Sequence, residues 1–174
     1  MAEIRLSDIQ KRMTFEEPIE ALTLELGYQY TANMEPTTLE LDIWPSGTHH
    51  LLKGRFLYRA QIPCSRCLER VALSGEGRFE AEYCPCSEEP RSKEIVVDAG
   101  NDHFVFYEDD LVLAEDLVSQ QMYLEIPDKL LCRESCKGLC PSCGVNLNHE
   151  KCTCVVESDD RWGPLSLLKA HRKE

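Results

Sequence analysis

Three stretches between residues 37 and 83 alternate apolar and polar side chains, and that period of two predicts strands. In residues 37–44 (TTLELDIW), Leu39, Leu41 and Ile43 fall on one side and Glu40 and Asp42 on the other. Pro45-Ser46-Gly47 follows as a turn. Residues 53–62 put Phe56, Tyr58, Ala60 and Ile62 on one face, with Arg55, Leu57 and Arg59 opposite. Residues 70–83 alternate through Val71, Leu73, Phe79, Ala81 and Tyr83, and Gly75 and Gly77 predict a bulge or bend. Short connections between successive strands argue for an antiparallel sheet, with Cys64-Ser65-Arg66-Cys67 as a hairpin turn.

Elsewhere the pattern is shorter. IRLSDI, residues 4–9, reads as a strand or strand-like arm. Residues 16–26 read as a short helix with Pro18 in its first turn, where a missing N–H costs little. Residues 87–93 are a polar loop, and residues 95–97, 104–106 and 111–113 are short strand candidates. From residue 115 to 125 the period becomes helical: Leu117, Val118 and Met122 share a face, Glu115 and Asp116 sit where the helix dipole favours acid, and Pro127 ends the run. The expected role of this helix is to cover one sheet face. Residues 159–169 (DDRWGPLSLLK) predict a short terminal helix, with Trp162 and Leu165 docking on the metal site or the core. The fold class expected is α+β: an antiparallel β-sheet-rich body with one or two helices over residues 1–131, and a small Cys-rich zinc-binding module with a tail helix over residues 132–174.

Charge changes this picture by making it lopsided. The chain of 174 residues has a formal net charge of −12. Residues 1–131 hold 12 Lys and Arg against 25 Asp and Glu, and residues 132–174 hold 7 against 6. An acidic body repels phosphate backbones and better suits a basic protein partner. No run of eighteen apolar residues is present to span a membrane, and the first fifteen residues carry charges from the third onward, without the apolar core of a secretory signal. The compartment expected is therefore the reducing cytoplasm, where clustered cysteines act as metal ligands rather than disulfides.

The ten cysteines carry the candidate chemistry. Six lie in residues 132–154 (CRESCKGLCPSCGVNLNHEKCTC). Cys140-Pro-Ser-Cys143-Gly has the form of a zinc knuckle: two thiolates two residues apart grip a cation from a tight turn, and the following glycine permits a positive φ. A connection short enough to reach the same metal leads to Cys152 and Cys154, so Cys140, Cys143, Cys152 and Cys154 are the preferred zinc ligands. A competing set joins the knuckle to Cys132 and Cys136, and a two-metal cluster with bridging thiolates would use all six. His149 offers a substitute ligand, although a loop histidine beside six thiols is more often simply exposed. Upstream, Cys64, Cys67, Cys84 and Cys86 repeat the order CxxC then CxC and define a candidate second site, provided the strand between them returns as a hairpin partner. No Ser-His-acid order, phosphate-cradling glycine loop or HExxH helix appears, and closed all-cysteine sites are structural. The expectation is a protein without catalytic residues.

Three passages resemble the YceD family of large ribosomal RNA subunit accumulation proteins: PCSRCLE at residues 63–69, EDLVSQQMYLEIPDKLLCRESCKGLCPSCGVNLN at residues 115–148, and CTC followed by DDRWGPLSLLK to residue 169. The resemblance implies a non-enzymatic role in accumulation or processing of large-subunit ribosomal RNA. It also implies that Cys64, Cys67, Cys132, Cys136, Cys140, Cys143, Cys152 and Cys154 match the family's cysteine-bearing motifs, with Cys84 and Cys86 outside them. The partner expected is a large-subunit precursor or a basic ribosomal protein. Direct RNA binding through Lys137, Lys151 and Arg161 is a weaker reading, because three scattered cations make a thin footprint. The other alternative is a redox-regulated zinc switch or chaperone, whose metal leaves on oxidation. Oligomeric state is not legible in the sequence.

Overall fold

The alternating stretches form strands, and the two longest make one hairpin. In a computed structural model, which describes residues 3–27, 30–89 and 104–154, the elements run β1 (Glu3–Arg5), β2 (Met13–Ile19), β3 (Leu22–Glu25), β4 (Thr31–Met34), β5 (Thr37–Ser46), β6 (His49–Pro63), β7 (Arg70–Pro85), β8 (Phe104–Tyr107), β9 (Leu111–Leu113) and α1 (Ala114–Glu125). Single 3-10 turns occupy Leu6–Asp8 and Cys86–Glu88. The expected strand of residues 95–97 and the terminal helix of residues 159–169 lie outside the described residues.

β6 is the centre of the main sheet. β7 pairs with it antiparallel from His50↔Tyr83 to Pro63↔Arg70. Its other edge is shared end to end by β5 and β4. β2 pairs with β5 and β3 with β4, giving the order β2-β5-β6-β4-β3 with β7 and then β8 on the far side. A separate two-stranded ribbon joins β1 to β9, with Ile4 opposite Val112. β8 runs parallel to β7, an exception to the antiparallel expectation. The connection over residues 86–103 makes that possible, because a parallel return needs a dozen or more residues where a hairpin needs two.

Three sequence expectations are corrected here. Residues 16–26 form parts of β2 and β3 rather than a helix. Met13, Phe15 and Glu17 stand opposite Ile43, Leu41 and Leu39, so a period of two matches the buried face of β5 and prevails over the local helix signal. Pro18 is tolerated because β2 lies at the end of the strand order, where, among the described residues, a lost backbone donor faces no further strand. The turn after β5 is Gly47-Thr48 rather than Pro45-Ser46-Gly47: Ser46 pairs with His49, and Gly47 takes φ +68°. A positive φ at the first central residue of a two-residue loop matches the twist of the flanking strands.

The bulge expected at Gly75 and Gly77 does not form there. The β6–β7 register is unbroken past Gly75 and Gly77. These glycines instead seat aromatic rings on the inner face: Gly75 lies opposite Tyr58, Gly77 opposite Phe56 and Gly54 opposite Phe79. A Cβ at Gly77 would stand 2.5 Å from Phe56 Cζ, and one at Gly54 would stand 2.1 Å from Phe79 Cζ. The bulge is elsewhere. Between Met34↔Ala60 and Leu39↔Phe56 the β4–β5 arm carries one residue more than β6, and the Glu35 N–H donates to the Arg59 carbonyl at 2.9 Å. Glu35 and Pro36 absorb the excess, and a bulge is one of the few sheet positions that accept proline.

The inner face carries Leu39, Leu41, Ile43, Leu52, Phe56 and Tyr58, and α1 lies against it. Ala114, Leu117, Val118 and Met122 are the buried stripe of α1, and Glu115 and Asp116 occupy its first turn. This is the covering helix that the sequence predicts. Among the described residues no helix is long and apolar enough to cross a membrane.

Candidate metal centre

The β6–β7 hairpin turns at Cys64–Leu68, and its tip is built like a metal knuckle. The Cys64 N–H donates to the Glu69 carbonyl at 2.8 Å, and the Leu68 N–H donates to the Cys64 carbonyl at 3.0 Å. Leu68 takes φ +63°. The second CxxC repeats this pattern bond for bond. The Cys140 N–H donates to the Val145 carbonyl at 2.8 Å, and the Gly144 N–H donates to the Cys140 carbonyl at 2.9 Å, with Gly144 at φ +73°. In each knuckle the residue after the second cysteine lies in the left-handed region. Glycine occupies it without strain, whereas Leu68 does so at a cost of about 1–2 kcal/mol.

Two groups of four sulfurs result, each with all sulfurs within 4.8 Å of one another. One is Cys140, Cys143, Cys152 and Cys154, where Cys152 Sγ lies 3.3 Å from Cys140 Sγ and 3.5 Å from Cys143 Sγ. The other is Cys64, Cys67, Cys132 and Cys136, with Cys64 Sγ 3.9 Å from Cys136 Sγ and Cys67 Sγ 3.6 Å from Cys132 Sγ. Four sulfurs tetrahedrally placed at about 2.3 Å from zinc stand about 3.8 Å apart. Both sets therefore have the spacing that one ion needs, and all ten cysteines are free thiols.

Cys132 and Cys136 thus join Cys64 and Cys67 and not the Cys140 knuckle, and the six C-terminal cysteines form no single cluster. Cys84 and Cys86 do not join Cys64 and Cys67. The strand between them does return as a hairpin partner, but that is what separates them: β7 leads away from the tip, and Cys84 falls beside the start of β6, more than a dozen residue pairs from Cys64. At about 3.3 Å per residue, that exceeds any shared coordination sphere. His149 pairs with the Glu69 carboxylate instead of acting as a ligand.

Backbone and side-chain donors surround the sulfurs. The N–H groups of Arg66 and Cys132 reach Cys64 Sγ at 3.5 and 3.3 Å, and Asn148 Nδ2 reaches Cys136 Sγ at 3.3 Å. Burial opposes ionisation of Cys64, but the amides of Arg66, Cys67 and Cys132 outweigh it and bring its pKa down to about 6. The amides of Cys143 and Ser142, with the Cys152 side chain, bring Cys140 to about 6. Their neighbours move the other way: burial raises Cys67 and Cys132, while Cys152 and Cys143 push Cys154 up to about 12. Four crowded sulfurs cannot share four negative charges unaided, and a cation relieves that conflict.

A third grouping, His49 with Glu82 and Cys84, is of another kind. Both ring nitrogens of His49 are taken, by Glu82 at 2.6 Å and Glu88 at 2.8 Å. Two carboxylates favour imidazolium, which has no lone pair to offer a metal. This group is an ion-pair clasp.

The fold and these clusters define a class: an antiparallel sheet-rich body with a covering helix and paired four-thiolate groups suited to structural metal. A model of the family described as "Large ribosomal RNA subunit accumulation protein YceD" matches residues 52–169, and the chain belongs to that family. A protein of Arabidopsis thaliana named "Large ribosomal RNA subunit accumulation protein YCED homolog 1, chloroplastic" is 29% identical, with 65% of this chain and 42% of the relative covered. Uncharacterised proteins of Mycobacterium bovis and Mycobacterium tuberculosis are each 30% identical over 80% of this chain and 66% of theirs. The chain therefore spans less than half the length of the plant relative and just under two thirds of the mycobacterial ones. No solved structure matches.

The pairing of Cys64 and Cys67 with Cys132 and Cys136 is what spacing arguments miss, because the two halves are far apart in sequence. A signal was present: the resemblance read from the sequence implies that these four cysteines match the family's cysteine-bearing motifs and that Cys84 and Cys86 fall outside them.

Proposed function

We propose that this chain is a non-enzymatic ribosome-biogenesis factor that supports accumulation or processing of large-subunit ribosomal RNA, with zinc held by Cys140, Cys143, Cys152 and Cys154 as a structural element. The observation that carries this reading is the family match over residues 52–169, which takes in most of the β6–β7 hairpin, α1 and the whole cysteine segment. The family description names accumulation of an RNA subunit and no reaction. Because the chain covers 42% of the plant relative, transfer of that role to this chain is part of the proposal. Four thiolates leave no open position for a reactive water, so the metal would hold shape rather than do chemistry.

The acidic body, residues 1–131, is the partner-facing part in this reading, and the cysteine module is its staple. A basic ribosomal protein or a large-subunit precursor presenting one fits the charge. The site of action is the cytoplasm. Lys137 and Lys151 are exposed, while Arg161 lies outside the described residues, so a direct RNA footprint there has little to support it. Sedimentation of a lysate through a sucrose gradient tests the reading. The tagged chain is expected to migrate with large-subunit precursors, and confinement to the top fractions in growing cells contradicts it.

One observation favours a second reading, a redox-regulated zinc switch: Cys143 and Cys154 are exposed, unlike buried Cys64, Cys67 and Cys136. Peroxide treatment that released zinc and unmasked suppression of aggregation would support it, and unchanged metal content would end it.

A further inference from the structure

We propose that Cys64, Cys67, Cys132 and Cys136 form a second zinc centre, which fastens the β6–β7 hairpin tip to the cysteine segment, with Asn148 as the positioning residue that couples it to the loop closing the first. It rests on the thiolate-zinc reading above and extends it to a site built from two distant parts of the chain.

Four independent features converge on these residues. The sulfur separations of 3.6 and 3.9 Å have the edge length of a zinc tetrathiolate. The Cys64 knuckle repeats every backbone bond of the Cys140 knuckle, including the left-handed residue, although Leu68 has to be forced into that region. A hairpin has no reason of its own to hold a non-glycine residue there, since a two-residue loop would close it more cheaply. The backbone joins the halves in register, since the Ser65 N–H donates to the Leu130 carbonyl at 2.8 Å and the Leu139 N–H to the Arg66 carbonyl at 3.1 Å, and the Arg66 guanidinium adds a bond from Nη1 to the Cys136 carbonyl at 2.8 Å. Finally, three of the four sulfur-bearing residues are buried, with relative exposures of 0% for Cys64, 4% for Cys67 and 3% for Cys136. When zinc binds, four S–Zn bonds form and the thiol protons leave to solvent.

Asn148 links the two centres. Its Oδ1 accepts from the Lys137 N–H at 2.9 Å, while its Nδ2 donates to Cys136 Sγ at 3.3 Å and to Asn146 Oδ1 at 2.9 Å. Asn146 and Asn148 lie between Cys143 and Cys152, so closing the first centre fixes the loop that carries the amide to the second. The His149–Glu69 pair adds a second tie from that loop to the hairpin. The run Asn146-Leu147-Asn148 is thereby a bridge between metals and not a mere spacer.

Metal content of the full chain, reduced and purified without added zinc, tests this by mass spectrometry under native conditions. About two zinc ions per chain are expected for the wild type, and about one each for Cys67→Ser and Cys143→Ser. Asn148→Ala should keep both ions but release one to a chromogenic chelator about 10- to 100-fold faster, the usual scale for a lost contact next to a ligand. A wild type holding one zinc that Cys143→Ser abolishes and Cys67→Ser leaves in place overturns the second centre while the first stands. No zinc in any form removes both. If Cys67→Ser fails to fold, the wild-type count with Asn148→Ala decides: two ions with one labilised supports the proposal, and one ion, or two with unchanged release, contradicts it.

Discussion

At the scale of single residues, the glycines of the central hairpin give the sharpest expectation. Gly77 sits under the Phe56 ring, which is buried, and a Cβ there meets Cζ at 2.5 Å. Gly77→Ala should destabilise the chain by about 1–3 kcal/mol, the cost of overpacking a filled site. Ser74→Ala, at an exposed position of the same strand, should change stability by less than about 0.5 kcal/mol. Urea unfolding of both variants checks the pair. Leu68 offers the opposite sign. Leu68→Gly relieves a left-handed conformation of about 1–2 kcal/mol, offset in part by the freedom glycine adds to the unfolded chain, and the net expectation is a small gain in the same measurement.

His49 supplies the pH dependence at this scale. Glu88 first, then Glu82, hold its pKa above the ordinary 6.5. A group raised on folding stabilises fully below its unfolded pKa and loses that contribution as pH rises through the folded one. The stability difference between wild type and His49→Gln should therefore be largest below about pH 6.5 and shrink above it. A difference that grows with rising pH contradicts the clasp.

At the scale of elements, α1 is held by one stripe. Met122 is fully buried, while Tyr123 and Leu124 next to it are 48% and 80% exposed. Met122→Ala should cost about 2–5 kcal/mol, whereas Leu124→Ala should stay within about 0.5 kcal/mol, both read from thermal or urea unfolding. Equal effects would mean that the helix uses another face. The stripe was legible in the sequence because Leu117, Val118 and Met122 follow the helical period and the acidic first turn marks the start. β5, β6 and β7 were legible because their alternation is long. Residues 16–26 were not, since the partner that makes their alternation meaningful, the buried face of β5, lies in another part of the chain. Gly75 and Gly77 stand out in the sequence, but a glycine that makes room for a ring and one that permits a bulge look the same until the opposite residue is known.

At the scale of the whole molecule, the cysteines divide the same way. Cys140, Cys143, Cys152 and Cys154 come together within a short loop, and the spacing makes them the preferred set among the alternatives. Cys64 and Cys67 meet Cys132 and Cys136 only once the hairpin tip reaches the segment after α1, a long-range contact that no local spacing encodes. The apparent CxxC-then-CxC repeat in residues 64–86 is undone by the direction of β7. The resulting molecule is an acidic, sheet-built body whose last described segment is pinned to the tip of its longest hairpin. In the proposed reading, this body serves large-subunit RNA. The ratio of large- to small-subunit ribosomal RNA in cells lacking the chain, with and without a plasmid-borne copy, decides whether it does. A fall in the large-subunit species that the copy restores is predicted, and an unchanged ratio with normal subunit profiles contradicts the account.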